Sequence, residues 1–158
     1  MANPFQDMVN VVSEAHKKLD AEMAGISDEV FYGVPKEGEW AISENLGHIM
    51  ELQWFWMDKV NLILKEDNPR LFRSEGENAS RLALPAAWKG YTREIILRVL
   101  KHANQDTLDD IAKLPSDKLD RTGTRNDGKV VTIPQQVEII ANHILVHVNQ
   151  IAENKKAL

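Results

Sequence analysis

Four stretches of the chain repeat apolar residues at three- and four-residue steps, the period of a helix with one buried face. The first carries Phe5, Met8, Val9, Val12, Leu19 and Met23 and predicts a helix over about 5–24, with Gly25 as its C-terminal stop. The second, about Ile42 to Lys65, has an inner stripe of Leu46, Ile49, Met50, Met57, Val60 and Leu64. The third starts near Pro85, a residue suited to a first helical turn. Its Ile95, Val99, Ala103, Thr107, Ile111 and Leu114 keep step, which predicts one long helix to about Lys113. The fourth opens on Thr132-Ile133-Pro134-Gln135, a capping box with proline in the first turn, and runs to about Glu153.

The connections are long. Asp67 to Arg81 is polar and carries Pro69 and Gly76, and Pro115 to Val131 carries Gly123, Asp127 and Gly128. Within the latter, Lys129-Val130-Val131 suits a short extended piece. No alternating strand pattern of useful length appears elsewhere. The expected class is all-α, a four-helix bundle formed by one domain over 1–158, since a bundle buries four amphipathic faces economically.

Composition narrows the partners. With 43% hydrophobic and 27% charged residues the chain reads as ordinary globular, so no segment is set aside as disordered. A formal charge of -5 offers no basic footprint, which argues against nucleic acid and anionic membrane as partners. Asp7 and Glu14 interrupt the first twenty residues, unlike a signal peptide, and no apolar run reaches the roughly 20 residues of a spanning helix. A cytoplasmic protein is expected. There is no cysteine, so any metal is left to His, Asp or Glu, and thiol chemistry needs a thiol from outside.

Candidate chemistry sits on the fourth helix. His143 and His147 are four apart, so their side chains lie roughly 40° apart on one face, one turn displaced. Two imidazoles so placed can share a metal ion at about 2.0–2.1 Å per bond. The plainer alternative is two polar residues flanking a core stripe. Ile144 follows His143, so the general-base glutamate of H-E-x-x-H proteases is missing, and no Glu-x-x-His for a di-iron site occurs. No glycine-rich phosphate loop is present either. Mononuclear metal binding remains, and His48, within the second helix, is the best candidate for a third ligand.

Trp40-x3-Glu44-x3-His48 at the head of the second helix, with Thr132-Ile133-x9-His143-x3-His147-x2-Gln150-Ile151 near the C-terminus, resembles the DinB/YfiT-like superfamily over almost the whole chain. The resemblance implies an up-down-down-up four-helix bundle and a three-histidine site for one divalent ion, zinc or nickel, with His48, His143 and His147 as ligands. The family often has a hydroxyl residue after the tryptophan to cap the second helix. Here it is Ala41, which leaves the cap to Ser43 or to the backbone. Glu51 and Gln150, one turn beyond His48 and His147, are candidates for holding an imidazole by its far nitrogen or for acid/base work, against a plain structural role. His16 and His102 are read as structural.

Three neutral imidazoles on one side of an ion leave the other side to water or substrate and preserve the full 2+ charge, which favours an anionic guest. Relatives of this kind include thiol S-transferases and isomerases that use low-molecular-weight thiols such as bacillithiol or mycothiol. The resemblance therefore implies a metal-dependent transferase acting on a small molecule. Alternatives are a metal-assisted hydrolase and a non-catalytic small-ligand-binding metalloprotein. Trp54, Phe55 and Trp56 cover some 200° of the second helix, more than one core accommodates. Either one ring packs under the Asp67–Arg81 connection, or an apolar patch is buried in a homodimer.

Overall fold

The computed structural model describes residues 3–158; Met1 and Ala2, the first two residues of the expected domain, lie outside the described residues. The elements are α1 (Pro4–Met23), α2 (Asp28–Tyr32), α3 (Ile42–Lys65), α4 (Glu75–Trp88), α5 (Arg93–Ala112), a 3-10 turn (Ser116–Lys118), β1 (Thr122–Thr124), β2 (Val130–Thr132) and α6 (Ile133–Ala157). None of these helices is long and apolar enough to cross a membrane.

Four long helices form the bundle, and α4 is laid on its outside against α3. Their directions follow from side-chain contacts. Lys155 of α6 donates to Glu22 at the end of α1, so these two run parallel. Arg121, shortly past the end of α5, donates to the Ile63 and Glu66 carbonyls at the end of α3, so these two are also parallel. The start of α3 meets the end of α6 through Asn45 and His147 and through the Trp40 carbonyl and Asn154, an antiparallel pairing. The result is the expected up-down-down-up order. α1 packs on α5 and α6, and α3 packs on the same two, so α1 and α3 sit across a diagonal.

The expected single third helix is two. Gly90 and Thr92 divide it: α4 ends at Trp88, and the Thr92 hydroxyl accepts from Ile95 N–H to start α5 afresh. α4 itself begins inside the segment read as connection, on a Ser74–Glu77 capping box. Pro85 therefore lies within α4 rather than at a helix start. By running back along α3, α4 returns the chain to the head of α3, which is why α5 descends parallel to it. The expected extended piece exists as β2, paired antiparallel with β1.

Burial follows the helical period. Val12, Leu19, Leu46, Ile49, Ile111, Ile140, Ile144 and Ile151 are fully enclosed. α3 is buried on all sides from Ile42 to Gln53 because α4 covers its outer face. Of the three consecutive rings, Phe55 is buried beneath the Arg73 guanidinium at 3.7 Å, so it does pack under the former connection. Trp56 is half-buried near Arg125, and Trp54 is 43% exposed.

Candidate metal centre

The site is made where the head of α3 meets the middle of α6. α3 starts without a capping hydroxyl: Ala41 has none, and Ser43 is buried with no hydrogen-bond partner among the described residues. The Glu44 carboxylate accepts from Ala41 N–H at 2.9 Å instead, half of a capping box and the anionic group that a helix N-terminus favours. This start sets the angle at which His48 leaves the helix, one turn further on.

His48, His143 and His147 converge as expected. One ring nitrogen from each lies within 4.8 Å of the other two. Ring centroids are 5.5 Å apart for His48 and His143, 4.7 Å for His48 and His147, and 5.2 Å for His143 and His147. Ligands sharing an ion at 2.0–2.1 Å stand about 3.3–3.5 Å apart, a modest side-chain closure from this arrangement. His48 and His147 are buried and His143 is half-buried. Burial, followed by the positive neighbours His48, Arg73 and Arg81, pushes His143 down to about 4. Burial, then His48 and His143, pushes His147 down to about 3. Both rings are thus neutral at pH 7, the state in which imidazole binds a metal.

The Nδ1 of His147 is held by a hydrogen bond, and that of His48 faces a carboxylate. Asn45 donates its amide N–H to the carbonyls of Trp40 and Ala41 at 3.4 and 3.2 Å, which turns its oxygen toward His147 Nδ1 at 3.0 Å. His147 Nδ1 must then carry the proton, leaving Nε2 as the free donor atom. On the other ring, Glu51 Oε2 stands 3.4 Å from His48 Nδ1 and is gripped by Arg73 through bonds of 2.5 and 3.0 Å. Burial raises the Glu51 pKa, but His48 and Arg73 outweigh it and hold the carboxyl below its ordinary value. Glu51 therefore sits beside His48. Gln150 lines the cleft one turn beyond His147 and acts against the lowering of its pKa, while Asn45 makes the bond to His147 Nδ1. Replacing Asn45 by alanine is expected to weaken metal affinity about 10–100-fold with the three histidines intact; chelator competition measures it, and unchanged affinity would refute the orienting role.

Trp40 roofs the site, 5.1 Å from His48 and stacked at 6.3 Å over His147. The cleft above the rings has a volume of about 420 Å³ and is also lined by Trp56, Arg73, Arg81 and Val146. Sequence reasoning missed Asn45, Arg73 and Arg81. Asn45 had a signal, one turn before His48 on the same helix face; the arginines had none, because α4 was not foreseen. His16 is buried away from this site and bonds Gln53 at 2.8 Å, and His102 is exposed on α5, both outside the cluster.

Residues 12–151 match the profile of the DinB superfamily. A search of curated proteins returns no match. Among solved structures, YfiT from Bacillus subtilis, described as a probable metal-dependent hydrolase with an unusual four-helix bundle topology, superposes with a TM-score of 0.75 at 16% identity, over 96% of this chain and 86% of that one. A mycothiol-dependent maleylpyruvate isomerase superposes with a TM-score of 0.73 at 11% identity over 92% of this chain, and so does a histidine-to-alanine mutant of it. The match spans 60% of the isomerase's own length.

Proposed function

We propose that this chain, which belongs to the DinB superfamily, is a metal-dependent enzyme that activates a low-molecular-weight thiol for attack on a small electrophile. The observation that carries the reading is the convergence of three imidazoles from α3 and α6 on the floor of an open cleft. His48, His143 and His147 would hold one divalent ion, zinc or nickel. When bound, such an ion acts as a Lewis acid that lowers the pKa of a thiol or water joining it.

The chain's own residues favour thiol over water. A free thiol titrates near 8.5 and water near 15.7, so a thiol needs far less help to lose its proton. Metalloproteases supply that help to water with a free glutamate. The carboxylate nearest this site, Glu51, has both oxygens bound by Arg73. The chain has no cysteine, so the thiol is a diffusible one. The mycothiol dependence of the structurally similar isomerase supports this choice, and the hydrolase description of YfiT supports metal-assisted hydrolysis as the second reading.

Cobalt substitution separates them. Bacillithiol or mycothiol added to the cobalt protein should produce a sulfur-to-metal charge-transfer band, absent in the His147→Ala protein, and the thiol should be consumed with generic electrophiles. If no such thiol perturbs the spectrum and none is consumed, the transferase reading gives way to hydrolysis, tested on esters, or to ligand binding without turnover.

Exposed Trp54 supports assembly as a homodimer. Light scattering is expected to give twice the monomer mass for the wild type and less for Trp54→Ser; a monomeric wild type at micromolar concentration would reject it.

A further inference from the structure

We infer that the substrate accepted in this cleft is a small carboxylate, bound through the guanidinium of Arg81; the inference rests on the metal-site reading above. Two arginines line the cleft, and their situations differ. Arg73 is built in: its charge is matched by Glu51 and its guanidinium carbon stands 3.7 Å over the Phe55 ring. Arg81 projects from the middle of α4 and is exposed. Three acids between α3 and α4 are already engaged with other cations. Glu77 pairs with Lys59, Glu51 with Arg73, and Glu44 with Lys89. Among the described residues, Arg81 has neither an ion pair nor a hydrogen bond to its guanidinium.

An arginine left without a partner at the mouth of a cleft that faces three imidazoles offers a planar fork of N–H donors, the shape that grips a carboxylate through two bonds. It lines the same cleft as the three histidines. A net charge of -5 does not cancel its positive charge, because ions screen surface charges beyond roughly 8 Å. Trp56, on the same wall, has a buried indole N–H with no partner among the described residues, a second donor with no acceptor. The remaining wall is the apolar Trp40 and Val146 with the polar Gln150. A short carbon skeleton ending in a carboxylate matches donors at the mouth, partly apolar sides and a volume of about 420 Å³.

Succinate and its neutral counterpart succinamide are suitable probes, titrated calorimetrically into wild type and Arg81→Gln, each metal-loaded and metal-stripped. Succinate should bind the loaded wild type better than succinamide and lose about tenfold or more in Arg81→Gln, with metal content unchanged. Arg81 lies on an exposed helix face, so the variant should keep its melting temperature. Succinate binding indifferent to Arg81, or succinamide binding as well as succinate, would overturn the inference while leaving the metal reading intact. Arg81-dependent succinate binding that persists in protein unable to retain metal would uphold it after the metal reading had failed.

Discussion

Replacing His48 by alanine is expected to abolish metal retention through dialysis, with affinity falling by well over the 100-fold that marks loss of an orienting partner. His48 is the one histidine of the cluster that α3 supplies, so without it two imidazoles on one helix remain. The metal-free wild type holds a buried imidazole whose Nδ1 is only 3.4 Å from Glu51 and has no good hydrogen bond. Removing that ring should therefore change the metal-free melting temperature little. The difference appears on adding metal. An ion present at 1,000 times its dissociation constant stabilises the wild type by about 4 kcal/mol, and the variant should gain almost none of this. His16→Ala, also a buried histidine but outside the cluster, should bind metal normally. Wild-type affinity in His48→Ala would refute the three-histidine assignment.

Gly47→Val should lower stability by about 3 kcal/mol, a drop in melting temperature of roughly 6–12 °C for a chain of this size. Gly47 is where α4 sits down on α3. A Cβ there would stand 2.9 Å from the Pro85 Cα and collide with the Trp88 ring. Glycine costs a helix about 1 kcal/mol relative to alanine, and here that cost is offset by the close seating of a second helix. Valine gains back part of the helix propensity but drives its two methyl groups into a backbone that cannot move without lifting α4. Because α4 carries Arg81 but none of the three histidines, the variant should keep its metal while losing succinate affinity. A melting temperature unchanged from wild type would mean that α4 is not packed on α3 at this point.

Much of the bundle was legible along the chain, and the reasons are local. α3 occupies the predicted Ile42–Lys65, and α6 starts on the Thr132 capping box, because caps and the apolar period act within a few residues. α4 escaped because it is a covering helix with only Pro85 and Trp88 buried, so it shows no apolar stripe; its Ser74–Glu77 box was the one mark it left. The error over Pro85 has the same source. A proline at a helix start and a proline seated against a glycine of another helix look alike in one dimension.

The sequence by itself determined the helical class, the four long amphipathic faces and the three histidines, since each depends on residue types at short spacings. Only the tertiary structure decided that the return of α4 along α3 would make α5 parallel to α3. It alone placed Asn45 on His147 and closed Glu51 with Arg73. It also left Arg81 lining the cleft with no ion pair among the described residues. These last features join residues brought together by helix packing, and a hydrogen bond or an ion pair acts over a few ångströms of space regardless of separation along the chain.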